Sequence, residues 1–401
     1  MSTTSIIKTL SRFNLFKGFS PNEIWQILAS GSVRQLKPGD VLIKPGETNK
    51  TLFLVIDGGL RVILEKDGSE VSIPIPPGEC LGEMSLVGGE PTSAGAVADK
   101  LSKVLLIPEE TFWNQLALTR PGVQNLLGMM AHRLQRNNDA LIEKVEQQLK
   151  YTLMEKEMES AGKIQSGLVP DGKDLFPTFP EVDAYALINQ ARNVGGDFYD
   201  AVALDSDNIY FAIGDVSGKG MSAALFMMRI LTSMRLYLGT CPSFEEVLPA
   251  VNNWLARNND DMMFVSVFAA VLNVRTGLLR YINAGHNPPF ANFGGRSWNL
   301  MELPKGTLLG IVANELFPIT ERKLEPGDSL VLYTDGITEA QNANHILFDF
   351  NRTKKSLNQK KNDTMEHLVQ NLKSSVETFV GNAPQADDYT IFALRWLGMG
   401  E

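Results

Sequence analysis

Cysteine and histidine are scarce in this chain of 401 residues, which has two of the first and four of the second. Cys80 and Cys241 supply neither a disulfide framework nor a zinc-ligand pair. His132, His286, His345 and His367 are too scattered for a zinc or phosphohistidine mechanism. Positive charge is also short: 37 Lys and Arg stand against 46 Asp and Glu, a formal net charge of −9, so a nucleic-acid partner is not expected. No apolar run approaches the ~18–20 residues that span a bilayer. The stretch Met1–Leu10 lacks the pattern of a signal peptide. A soluble cytoplasmic protein is therefore expected, with no membrane partner.

Hydrophobic residues make up 44% of the chain, ample for proper cores, and its length predicts two or three domains. Residues 1–30 read as helical, with Ser20-Pro21-Asn22-Glu23 as a helix start. From Val33 to Pro108 short strands alternate with regular turns, among them Lys37-Pro38-Gly39-Asp40, Lys66-Asp67-Gly68 and Pro76-Pro77-Gly78-Glu79, which predicts an all-β roll. Residues 109–135 return to helix.

This region resembles the cyclic-nucleotide-binding domain of the catabolite-activator type. The resemblance rests on Leu15-Phe16-Lys17-Gly18, Pro38-Gly39-Asp40, Gly58-Gly59-Leu60-Arg61-Val62 and Leu81-Gly82-Glu83-Met84-Ser85-Leu86. It implies a cassette for phosphate that Gly82 and Glu83 open, Glu83 holding a ribose hydroxyl. The family closes that cassette with an Arg on the phosphate. Here Thr92 stands in its place, followed by Ser93. A cyclic nucleotide or another small ligand is the expected occupant; a roll that only packs or dimerises is the alternative.

From Met129 to Lys163 there is no Pro and one Gly, acidic and basic residues alternate, and Leu134, Leu141, Val145, Leu149 and Leu153 form an apolar stripe. The pattern predicts a long charged helix that pairs as a short coiled coil, hence a homodimer; a solvated single helix is the alternative. The predicted division is 1–130 sensor roll, 131–165 connector and 166–401 second domain.

In the last region, strands alternate with helices in a pattern that suggests an α+β layered sandwich. The stretch Ile213-Gly214-Asp215-Val216-Ser217-Gly218-Lys219-Gly220 is its centre. It fails as a P-loop, because three residues rather than four separate Gly214 from Gly218 and Gly220 stands where a hydroxyl should be. Three further words place Asp at a predicted strand end or turn: Gly195-Gly196-Asp197, Thr334-Asp335-Gly336 and Asp387-Asp388-Tyr389-Thr390. One such Asp is ordinary turn chemistry; four sites together suit hard divalent cations, which take oxygen ligands.

These words, with Asn283-Ala284-Gly285-His286-Asn287-Pro288-Pro289 and the junction Ile164-Gln165 followed by Leu168-Val169-Pro170, resemble the SpoIIE/RsbU branch of the metal-dependent protein phosphatases (the PPM superfamily). The resemblance implies hydrolysis of phosphoserine or phosphothreonine on a partner protein, expected to be a STAS-type anti-sigma-factor antagonist, by water that two Mn²⁺ or Mg²⁺ ions activate. It assigns Asp215 and Asp197 to catalysis and Asp197, Asp215, the Val216 carbonyl, Asp335 and Asp387 to the metals, with Asp388 as the alternative to Asp387. A cysteine nucleophile does not compete, since the Arg required six positions after it is Leu86 or Val247. Arg192 and Lys219 are the candidate cations for the phosphate, and His286 is expected to fix its turn. The segment Gln341–Asp363, with Phe348-Asp349-Phe350 where the family has Phe-Gly, is expected to be a mobile loop. A non-enzymatic phosphoprotein-binding adaptor is the competing reading.

Overall fold

The computed structural model describes residues 3–66, 69–257, 259–359 and 364–399. Contacts divide the chain into two compact units, Met1–Leu149 and Lys150–Glu401. Asp67-Gly68, in a turn expected from the sequence, and Lys360-Lys361, within the expected loop Gln341–Asp363, lie outside the described residues.

The first unit is a roll of two four-stranded antiparallel sheets. One has the order β1 (Ser32–Leu36), β8 (Ser102–Pro108), β3 (Thr51–Asp57), β6 (Cys80–Leu81); the other has β2 (Val41–Ile43), β7 (Gly95–Ala98), β4 (Leu60–Lys66), β5 (Ser69–Ile75). Alternation along β3 makes the two cores. Phe53 and Val55 face the second sheet, while Leu52, Leu54 and Ile56 face the flanking helices with Leu10, Phe16, Ile24 and Ile27. The helix Pro21–Ser30 starts at a capping box, in which Ser20 accepts from the Glu23 amide and Glu23 accepts from the Ser20 amide at 2.7 Å.

A single helix runs 47 residues, Arg120–Ser166. It starts earlier than the expected connector because Leu126 is buried in the helix-side core of the roll. The proposed boundary at 130/131 thus falls inside a helix rather than in a break.

The second unit is four-layered. Two five-stranded antiparallel sheets face each other, β10 (Phe198–Ala203), β11 (Asn208–Val216), β12 (Val265–Asn273), β13 (Leu278–Ala284), β16 (Ile319–Lys323) and β15 (Asn299–Leu300), β14 (Phe290–Asn292), β17 (Ser329–Tyr333), β18 (Tyr389–Trp396), β9 (Val182–Asn189). Phe211, Ile213 and Phe268 from one sheet meet Leu332, Phe392 and Leu394 from the other. Met221–Thr240 and Val247–Arg257 cover the first sheet through Met227, Ile230 and Leu248, and Met365–Val380 covers the second through Leu368 and Leu372.

One expectation is corrected here. Gln341–Asp363 is not a loop throughout: Asp349–Gln359 is a helix whose Thr353 and Leu357 are buried. Asp349 Oδ1 accepts from the Asn351 and Arg352 amides at its start, and Ser356 bonds Ser375 across to the neighbouring helix at 2.9 Å.

Candidate active site

Four segments bring their carboxylates together at one end of the second unit's sheets. Asp215 lies inside β11, opposite Ser266 of β12, so the strand runs one residue past it instead of ending before it. Asp197 immediately precedes β10, and Phe198 pairs with Gly214 across the ladder. Asp335 opens a short helix, Asp335–Thr338, directly after β17, and Asp387-Asp388 leads into β18. The glycines of these words are required by close approach: a Cβ on Gly336 would run into the Asp388 carbonyl, and one on Gly195 into the Asp388 carboxylate.

The electrostatics are those of an acidic cluster short of positive charge. Asp197 is buried, and burial first, then the charge of Asp215, hold its carboxyl well above the usual range. Thr334 and Thr390 offset this by donating their hydroxyls to Asp197 Oδ2 at 2.6 and 2.9 Å. Asp215 is pushed up to about 7, again by burial and then by Asp335 and Asp387. Burial leads, with Glu339 and Asp387 adding, in raising Asp335.

Asp387 and Asp388 divide their work. Both Asp388 oxygens accept backbone N–H groups, from Ala191 at 2.8 Å and Gly196 at 3.1 Å, which ties down the loop carrying Asp197. Asp387 instead meets Lys219, whose ammonium lies 2.7 Å from its Oδ2 and donates to the Ala386 carbonyl at 2.9 Å. Arg192 is exposed, its guanidinium beside Gly220. His286 is buried; desolvation lowers its pKa to about 4, so the ring is neutral at pH 7, and Nδ1 sits 2.7 Å from Ser266 Oγ. That geometry suits the structural role expected of it.

The residues fit a hard divalent cation in donor type: all are carboxylate or carbonyl oxygens, they repel one another, and a lysine ammonium already serves as counter-ion. As placed, however, no three acidic, His or Cys side chains among the described residues converge on one point that could hold an ion. The sequence reading missed Thr334, Thr390 and Gln165 as parts of this site. Gln165, at the end of the long helix, donates to the Gly195 carbonyl at 2.6 Å and accepts from the Gly195 amide at 3.1 Å. The two Thr lie within the quoted Asp words and were available as hydroxyl donors; Gln165 carried no such signal beyond its place in the junction.

Fold and site define a chain of the SpoIIE family. Residues 205–397 match Stage II sporulation protein E (SpoIIE), and residues 33–118 match the cyclic nucleotide-binding domain family. The chain is 30% identical over 240 residues to phosphoserine phosphatase RsbU of Bacillus subtilis, covering 60% of this chain and 70% of RsbU, and it belongs to that family. It is 29% identical over 278 residues to protein IcfG of a Synechocystis species, covering 62% of this chain but only 43% of IcfG. The SiaA-PP2C domain of Pseudomonas aeruginosa has the same fold, with a TM-score of 0.54 at 20% identity over 61% of this chain and 98% of that domain. Among the described residues no helix is long and apolar enough to cross a membrane.

Proposed function

We propose that this chain is a metal-dependent protein phosphatase that removes phosphate from phosphoserine or phosphothreonine on a partner protein, a STAS-type antagonist in a partner-switching pathway. The observation that carries the reading is the gathering of Asp197, Asp215, Asp335 and Asp387 from four separate segments into one electrostatically coupled cluster. These residues, with the Val216 carbonyl, would hold two Mn²⁺ or Mg²⁺ ions. Such ions, when bound, lower the pKa of water and neutralise charge on a phosphoryl group. Asp215, raised by burial and by the charges of Asp335 and Asp387, and the buried Asp197 would take the catalytic role in holding them. Thr334 and Thr390 donate to Asp197 and oppose the rise that burial imposes on its carboxyl, and exposed Arg192 is the candidate cation for a substrate phosphate.

In this reading the roll serves as sensor and the helix Arg120–Ser166 as connector and dimer seam. Leu134, Leu141, Val145, Leu149 and Leu153 are all more than half exposed on that helix, which supports pairing with a second copy. The competing reading, a non-enzymatic adaptor, would require a broken carboxylate set, and Asp197, Asp215, Asp335 and Asp387 are all present.

Hydrolysis of an aryl phosphate with Mn²⁺, Mg²⁺ or EDTA, by the full chain and by Asp215→Asn, tests the proposal. Metal-dependent turnover lost in the variant is expected. No turnover, even on a phosphorylated antagonist protein, selects the adaptor. Removal of residues 1–130 is expected to change turnover; an effect on solubility alone would separate the roll from regulation.

A further inference from the structure

The roll encloses a cavity of about 410 Å³, within the ordinary range for small-molecule sites. Ile43, Val62, Leu64, Ile73, Ile75 and Leu81 supply its aliphatic wall. Gly82, Glu83, Thr92 and Ser93, the residues the sequence pointed to, also line it. They are brought together as expected, but they are not arranged to grip a phosphate.

Thr92 is buried and turned onto the segment after β2, its hydroxyl donating to the Lys44 carbonyl at 2.6 Å and the Glu47 carbonyl at 3.1 Å. Among the described residues, the charged side chains lining the cavity are Glu79, Glu83, Arg133 and Arg136. They neutralise one another: Arg133 pairs with Glu83 and, at 3.2 Å, with Glu79, while Arg136 pairs with Glu79 at 2.7 Å. Glu83 is buried, so its carboxylate depends on that partner. A cyclic phosphate brought into this space meets two carboxylates and no uncommitted cation among these groups. Desolvating an anion without a counter-charge is strongly unfavourable.

We propose that this cavity binds an uncharged small molecule with an apolar body and a hydrogen-bond donor at one end, the donor meeting Glu83, and that it does not take cyclic nucleotides. The aliphatic wall supplies the burial that selects the body. The Glu83–Arg133 pair supplies the polar end, and it places a ligand against a residue of the long helix within the same unit.

The test uses the full chain and 1-aminoanthracene, an uncharged fluorophore with an aromatic body and one amine donor. Saturable binding is expected, undisturbed by cyclic AMP or cyclic GMP in excess. Ala94→Phe and Val62→Trp, which put a ring into the cavity from two neighbouring segments of one sheet, should weaken it by about tenfold or more. Hydrogen exchange on the wild-type chain locates the probe without relying on the folding of either variant: protection is expected in β4, β5 and the helix Glu83–Gly88. No saturable binding, displacement by micromolar cyclic nucleotide, undiminished binding in both folded variants, or protection confined to residues 205–397 would each overturn the proposal.

Discussion

Gln165 and Gly195 exchange two hydrogen bonds, side-chain amide to backbone carbonyl at 2.6 Å and backbone amide to side-chain carbonyl at 3.1 Å. The pair is buried, and it joins the last turn of the long helix to the loop that carries Asp197 two residues further on. Gly162 lies one turn earlier, where a Cβ would run into the Asn193 carbonyl, so helix and loop approach backbone to backbone. Gln165→Leu keeps the size of the side chain and leaves both Gly195 groups without partners. Each orphaned group costs about 1–3 kcal/mol. Loss of stability in denaturant titrations is expected, together with weaker Mn²⁺ binding by calorimetry.

Lys219 occupies the space beside Asp387 that a cation would need. Both partners are about half exposed, so the ion pair is worth no more than about 1 kcal/mol. Lys219→Gln removes the competitor. It should tighten Mn²⁺ binding by up to about fivefold, read by calorimetry on the full chain. Weaker binding in this variant would mean that Lys219 orders the Asp387 loop instead of blocking it.

Asp387 and Asp388 should separate on substitution. Asp388→Asn can accept only one of the two N–H groups that its carboxylate now holds, so it should lower stability and loosen the loop at Gly196. Asp387→Asn leaves those bonds intact and should instead lower metal affinity with little change in unfolding. Metal titration and denaturant unfolding of both variants check the division; a reversed pattern would make Asp388 the ligand.

Much of the site was readable in the chain because its chemistry is written in short words. Asp197, Asp215 and Asp335 are each adjacent in sequence to a glycine, as in Thr334-Asp335-Gly336. What bound those words to each other was not readable. The Thr334 and Thr390 hydroxyls reach Asp197 from residues well over a hundred positions away, and the Gln165 amide comes from a different element altogether. The fold shows the same split. Strands with continuous apolar runs, such as Asn208–Val216, declared themselves. The helix Asp349–Gln359 did not, because only Thr353 and Leu357 are buried and the rest, apart from exposed Phe350, is polar. At the Glu83 cassette the words gave no sign of Arg133, fifty residues away, which pairs with the Glu83 carboxylate.

The raised carboxyl of Asp215 has a consequence for stability as well as for metal binding. Its pKa is about 7 in the folded chain against an ordinary value of 3.8. Between those two values the folded state holds a proton that the unfolded state has already lost. Stability without metal therefore falls as pH rises from about 4 to about 7, and the penalty is complete above that range. Asp197, raised for the same reasons, acts in the same direction. Asp215→Asn removes the buried charge and its repulsion by Asp335 and Asp387. In EDTA at pH 8 the variant should be more stable than the wild type by on the order of 2 kcal/mol, with the difference shrinking toward pH 5. Urea unfolding at the two pH values measures it. An Asp215→Asn chain that is inactive yet no more stable at pH 8 would show that the wild-type cluster is already neutralised, with Lys219 the nearest cation able to do so.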